Sequence, residues 1–374
     1  VKNPIYIKDY NFVGPVRNFI DFQERHAFSL KQDVWTAPLD QEFESKLMDL
    51  RESSPQYASL DRSVQLALLA ARGIEVSDAA TGVNIGSSRG ATGLWEAAFS
   101  RFRESGTVPT DTSPLTTLGN ISSWVAQDLQ LEGACLSHSI TCATGSHAIL
   151  NAIAWLASSM SPCFLVGGSE APLTEFTIAQ MRAMRIYARN QEDFPCKAMD
   201  PNKRDNSMIL GEAAAMFLLT KAEDNPLAKI IGYGTAIEAL KSPTSVSAKG
   251  NCLRDSMTRA LGPYDPTTVD AIVTHAPGTI KGDRAELAAV QSVFGEQHPQ
   301  LCNNKWILGH SLGASSSLNL AMALEMLKKG SIFKLPYLEN ALVNPRGDQR
   351  IPKRIMVNAT GFGGNAVSLL IEKA

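Results

Sequence analysis

The segment Thr141-Cys142-Ala143-Thr144-Gly145-Ser146-His147-Ala148-Ile149-Leu150-Asn151 decides how the rest of the chain is read. In it, Cys142-Ala-Thr-Gly145 is followed after four residues by Leu150-Asn151. Further on, His310-Ser-Leu-Gly313 is followed after four residues by Leu318-Asn319. Each residue of one set lies 168 positions from its counterpart, and both sets run on into Ala-rich apolar stretches. A repeat of this kind suggests a duplicated fold. A pseudo-twofold axis would bring two helix starts to the middle of the molecule, one led by Cys142 and the other by His310.

Outward from these segments, helical and extended patterns alternate. Gly145 to Ala157 is apolar almost all round, which suits a helix inside a protein rather than on its surface. Leu318 to Leu327 reads the same way. Leu60 to Arg72 has helical spacing with Asp61 near its start. Cys163 to Val166, Ala213 to Leu219, Val269 to His275, Ile355 to Val357 and Ala366 to Ile371 read as strands. The pattern predicts an α/β architecture. The polar run Lys221 to Pro226 is the natural boundary between two units.

The 374 residues are 44% hydrophobic and 19% charged, which is ample for a large core and excludes disorder. The formal charge of −2 excludes a strongly basic nucleic-acid surface. No apolar run reaches the ~18 residues of a membrane span. Val1 to Tyr10 carries Lys2, Lys8 and Asp9 with no long apolar stretch, so the expected location is cytoplasmic. The six cysteines (135, 142, 163, 196, 252 and 302) include no CxxC pair, so neither a zinc ribbon nor a disulfide framework is expected.

Cys142 stands just before a helix. The unpaired N–H groups of a first helical turn favour thiolate over thiol, and small neighbours let a substrate approach. On position alone an inert buried thiol fits equally well. His275 ends an apolar strand and enters Ala-Pro-Gly-Thr, a usual place for catalytic groups in α/β folds, though a loop-capping histidine also sits there. His310 has the same double reading. Asp283-Arg-Ala-Glu286 reads as a capping box before a helix from Leu287 to Phe294. Lys305 reads as a buried electrostatic partner. Gly361-Phe362-Gly363-Gly364 lacks a following helix, so it is not a phosphate cradle. It can hinge a Phe over a pocket and offer an N–H to an oxyanion.

Taken in order, these motifs resemble the elongating β-ketoacyl-acyl carrier protein synthases of the thiolase superfamily. The segments are Thr141 to Ala148, Gly167-Gly168-Ser-Glu170-Ala, and Asp200 with Lys203-Arg204-Asp205 and Leu210-Gly211-Glu212. They continue with His275 to Glu286, Lys305 to His310 and Asn358 to Gly364. The resemblance runs from about Leu60 to the C-terminus.

The resemblance implies a stacked αβαβα fold of two similar halves: residues 1–222 carrying the nucleophilic cysteine, and 223–374 carrying both histidines. It implies a triad of Cys142, His275 and His310 performing a decarboxylating Claisen condensation in fatty acid, polyketide or polyene synthesis. The acyl group and malonyl unit would arrive on the phosphopantetheine of acyl carrier protein, with no bound cofactor or metal. Backbone N–H groups of Cys142 and Phe362 would form the oxyanion hole, with Phe362 as gate. Lys305 and Glu286 would form a supporting charged pair. Thr279, Gly361 and Gly363 would contact substrate, and Arg185 the acidic carrier. The implied assembly is a homodimer or a heterodimer with a chain-length factor. The chain departs from the family at Pro277, Thr360 and Arg204-Asp205-Asn206-Ser207-Met208, and Asp9 to Pro55 matches poorly. Two other readings are a non-catalytic chain-length-factor-like subunit and a CoA-dependent thiolase-type acyltransferase.

Overall fold

The computed structural model describes residues 4–20, 25–239, 247–339, 343–347 and 350–374. The strands in chain order are β1 (Ile5–Val13), β2 (Ser29–Lys31), β3 (Val34–Ala37), β4 (Gly82–Gly86), β5 (Cys135–Leu136), β6 (Cys163–Glu170) and β7 (Leu210–Gly211). They continue as β8 (Ala213–Thr220), β9 (Ala228–Ile237), β10 (Ala271–Val273), β11 (Gln300–Cys302), β12 (Arg354–Gly361) and β13 (Asn365–Lys373). The helices are α1 (Gln41–Ser53), α2 (Pro55–Ala58), α3 (Arg62–Arg72), α4 (Thr92–Ser105), α5 (Thr112–Thr116) and α6 (Asn120–Asp128). After them come α7 (Thr144–Ala157), α8 (Glu175–Ala183), α9 (Asn251–Leu261), α10 (Ile280–Phe294), α11 (Lys305–Leu308) and α12 (Ser315–Lys329).

The main sheet has ten strands in the order β11-β10-β12-β13-β9-β1-β8-β6-β4-β5. Reading outward from the β9–β1 junction, each side uses its strands in the same sequence: first, last, fourth, second, third. The directions repeat as well. The two inner pairings of each side are antiparallel and the two outer ones parallel. The duplication is therefore visible in topology, although little of it survives in sequence.

The layers follow from what each helix touches. α3 and α6 cover β8, β6 and β4 on one outer side, and α9 covers β9, β13 and β12 on the other. α7 and α12 pack on each other and on strands of both sides. They form the central layer, which gives the αβαβα order. α12 is buried from Ser315 to Leu327, all but its last two residues. Each of its buried Leu and Met side chains contributes roughly 1.5–3 kcal/mol relative to exposure. The two central helices meet at their N-termini. A Cβ on Gly145 would lie 2.1 Å from Ser317 Oγ, so only glycine permits this approach. Ser146 N then donates to Ser316 Oγ at 2.9 Å, satisfying one of the orphan amides of α7.

Several expected elements shift. The strand expected over Val269 to His275 shrinks to Ala271–Val273, because backbone groups beyond it turn to bond Glu286 and Asp283. The strand at Cys163 runs on to Glu170. Asp61 caps α3, accepting from Ser63 N at 2.8 Å. The capping box at Asp283 is absent. α10 starts at Ile280, and Thr279 is its cap, accepting from Gly282 N at 3.2 Å. The poorly matching Asp9 to Pro55 supplies most of β1, α1, and two strands of a small sheet in the order β2-β3-β7. β3 pairs with β7 at Leu210, and Leu210 is in turn bridged to His310. Among the described residues, no helix is long and apolar enough to cross a membrane.

Candidate active site

Cys142 occupies an elbow between the loop after β5 and α7. Thr141 holds a left-handed φ of 50°, a conformation that β-branched residues rarely adopt. Its counterpart across the repeat, Gly309, has φ 70° ahead of His310. Both chemical groups thus follow a residue with positive φ. The Gly-rich hairpin between β12 and β13 braces the first elbow. Thr141 Oγ1 donates to Phe362 O at 3.1 Å. A Cβ on Gly361 would stand 2.0 Å from Thr141 Oγ1 and 3.0 Å from Cys142 N, so the two segments touch and the position requires glycine.

His275 follows β10. Its N–H donates to Glu286 Oε1 at 3.0 Å, and Ala276 N donates to Oε2 at 2.7 Å. One carboxylate on α10 therefore fixes the turn that carries the imidazole. His310 is fixed from the other side. Its N–H donates to Ile209 O at 2.7 Å, and Gly211 N donates to its carbonyl at 3.2 Å. The ring centroids of the two histidines are 5.2 Å apart with planes at 85°. Each ring's Nδ1 is buried without a protein partner.

The thiol and both rings line one cavity of about 610 Å³. Thr279, Gly361, Phe362 and Glu286 line it too. Phe362 is 40% exposed, which leaves its ring room to swing. The departures Pro277, Met208 and Thr360 all face this space. Met181, Met184, Met208 and Leu312 make its wall apolar. Unbranched thioether side chains adapt to varied acyl shapes.

Electrostatics here are set by burial. It pushes the Cys142 thiol up to about 12, with Glu170 adding and Lys305 opposing. The first turn of α7 pulls the other way. Burial favours the protonated sulfur, which the sequence left open between thiolate and inert thiol. Burial lowers His310 to about 3 and His275 well below its usual range, with Lys305 contributing to both. Both rings are therefore neutral at pH 7. Burial likewise lowers the Lys305 ammonium to about 7 and raises Glu286 and Glu170.

The other expected positions are placed as follows. Lys305 and Glu286 do not touch as a pair. Lys305 Nζ donates to Asn304 Oδ1 (2.8 Å) and Asn319 Oδ1 (2.6 Å), while Glu286 bonds backbone amides and Asn358 Nδ2 (3.1 Å). Gly363 shapes the hairpin turn, with φ 96°, and does not line the cavity. Arg185 stands away from the triad, beside a separate 440 Å³ cavity that Arg182 and Arg189 also line.

Residues that sequence reasoning passed over hold the site together. Glu170 accepts from Ser88 N, Arg89 N and Gly313 N, tying the end of β6 to the turn after His310. Asp283 pairs with buried Lys203 and accepts from Met199 N at 2.9 Å. Asn319 and Asn358 link the loops internally. Glu170, Lys203, Asp283 and Asn358 lay within the ordered motifs and Asn319 in the repeat, but their bonding roles were not legible there.

Residues 23–225 match the family described as "Beta-ketoacyl synthase, N-terminal domain", and residues 227–338 match "Beta-ketoacyl synthase, C-terminal domain". The chain is 26% identical over 347 residues to a 3-oxoacyl-[acyl-carrier-protein] synthase 2 of Staphylococcus aureus, covering 84% of this chain and 82% of that one. It is 29% identical over 341 residues to a 3-oxoacyl-[acyl-carrier-protein] synthase 1 of Buchnera aphidicola subsp. Baizongia pistaciae, covering 85% and 81%. The solved ishigamide ketosynthase/chain length factor shares the fold, with a TM-score of 0.85 at 16% identity over 100% of this chain and 99% of that one.

Proposed function

Because the chain belongs to the β-ketoacyl synthase family, we propose that it is a condensing acyltransferase whose reacting groups are Cys142, His275 and His310. It joins a Cys-bound acyl group to malonyl-acyl carrier protein and yields 3-oxoacyl-acyl carrier protein, in fatty acid or polyketide synthesis. The observation that carries this reading is the single cavity lined by one thiol and two neutral imidazoles. Those groups come from the two topological halves, which we divide at the polar run after β8. Acyl carrier protein is the partner, and its phosphopantetheine brings both substrates. The exposed arginines at 182, 185 and 189 suit an acidic carrier. A second copy or a chain-length factor completes the assembly, and a cytoplasmic location belongs to the same reading.

In the first half-reaction the Cys142 sulfur attacks the acyl thioester. The C–S bond to the carrier breaks, and the departing pantetheine sulfur takes the Cys142 proton. The N–H groups of Cys142 and Phe362 stabilise the oxyanion. In the second, the malonyl C–carboxylate bond breaks and CO2 leaves. The electron pair becomes an enolate on the thioester, held by Nε2–H of His275 and His310. A buried N–H without an acceptor costs more than an unpaired lone pair. The proton therefore sits on Nε2 of each ring, facing the cavity, and not on the unpartnered Nδ1. The enolate carbon attacks the acyl carbonyl and expels Cys142, whose sulfur regains a proton from solvent. Neutral donors stabilise the enolate without protonating its carbon.

The test is the intact mass of the enzyme after incubation with acyl-carrier proteins of varied chain length, followed by malonyl-carrier protein. Acylated Cys142 and a 3-oxoacyl product are expected. A folded enzyme that is never acylated would instead fit a chain-length-factor-like subunit.

Two further outcomes follow from this geometry. Gly361→Ala should slow transacylation by about 10²-fold, the scale of a 1 Å misplacement of a reacting group. The burst of acylated Cys142 measures it, and a wild-type burst would refute the bracing role. The decarboxylation rate should show no acid limb from imidazole protonation between pH ~7 and ~5, because a lowered imidazole pKa keeps the neutral donor form down to about 3. A loss of CO2 release centred on the ordinary imidazole range would contradict that.

A further inference from the structure

Asn319 lies on α12 and is completely buried. Its side chain reaches three segments. Nδ2 donates to Thr274 O at 3.2 Å, beside His275, and to Asn358 O at 2.9 Å, on the strand leading to Gly361. Oδ1 accepts from Lys305 Nζ at 2.6 Å, five residues before His310. Asn358 carries the frame onward. Its Nδ2 donates to Glu286, and its Oδ1 accepts from Ser368 Oγ at 2.9 Å. The repeat counterpart, Asn151, is exposed, so only the second copy has this post.

The partners of Lys305 are equally particular. Its ammonium contacts the amide oxygens of Asn304 and Asn319, both neutral. The charged and titratable groups that face it are Glu286 and Asp283 from α10, Cys142 ahead of α7, Cys196, and the imidazoles of His275 and His310. Among the described residues, none of these forms an ion pair with it.

We propose that Asn319 is a positioning residue that holds the His275 turn, the Gly361 strand and Lys305 to one central helix, and that gives Lys305 a neutral partner in place of a counter-charge. An amide is the side chain suited to both tasks, because it donates to two carbonyls while accepting from an ammonium. A carboxylate accepts from the ammonium but repels both carbonyl oxygens. With a neutral partner and deep burial, the Lys305 proton is exchangeable near neutrality, as its lowering to about 7 indicates.

Asn319→Asp keeps the shape and adds the missing charge. The Lys305 titration, read from the ¹³C shift of its ε-carbon in lysine-labelled protein and assigned with Lys305→Met, should move up by about one unit or more. Asn319→Ala should lower kcat ~10-fold or more with little change in KM, without raising the midpoint. An Asn319→Asp midpoint equal to that of the wild type, or wild-type kcat in Asn319→Ala, would overturn the proposal. If Asn319→Asp does not fold, Asn319→Ser decides: lost kcat at unchanged KM supports the role, and wild-type kcat rejects it. The activity arm rests on the condensation reading. The titration needs no substrate, so a chain that never condenses would sink the proposed function while leaving the Lys305 result standing.

Discussion

Cys142→Ser should reduce acyl transfer and condensation by 10³-fold or more, on the order seen when a nucleophile is removed. The substitution is nearly isosteric, so the elbow at Thr141, the brace from Gly361 and the cavity stay in place. What changes is the chemistry of one atom. The buried thiol is already hard to ionise, at about 12, and a hydroxyl in the same site is harder still. Neither imidazole is placed as a strong base, because both lose basicity through burial. Nothing in the site therefore compensates for the weaker nucleophile. The measurement is a carrier-protein condensation assay with mass detection of product, alongside intact mass of the enzyme. Normal product formation from the serine variant would remove Cys142 from the mechanism.

His275→Ala should separate the two half-reactions. CO2 release should fall by ~10²–10³-fold, the usual cost of losing one oxyanion donor, while acylation of Cys142 falls far less. The backbone bonds from residues 275 and 276 to Glu286 do not involve the ring. The turn therefore survives the substitution and only the Nε2–H donor is lost. Single-turnover burst measurements with acyl carrier, set against CO2 release from malonyl carrier, give the two numbers. Equal losses in both steps would mean that the ring serves general site architecture and not the enolate.

The correction at α10 shows how tertiary structure redirects a local signal. Asp283 and Glu286 have the spacing of a capping box, and nothing in the segment says otherwise. In the fold, Thr279 takes the cap, and the two carboxylates turn inward to bonds that include ones from residues far away in the chain. A capping motif describes only a few consecutive residues, whereas Lys203 lies 80 positions from Asp283. Lys305 and Glu286 are joined indirectly. The two residues share one region, but Asn319 and Asn358 stand between them.

Periodicity and the 168-residue repeat in the amino-acid order alone determined the α/β class, the buried central helices and the placement of Cys142 and His310 at equivalent helix starts. These features are carried by residues close together in the chain or by a pattern copied along it. Only the three-dimensional packing decided how the three groups share one cavity, that burial favours the protonated sulfur, and that Asn319 bonds three separate segments. Those outcomes depend on desolvation and on contacts between distant segments, and neither exists until the two halves have closed on α7 and α12.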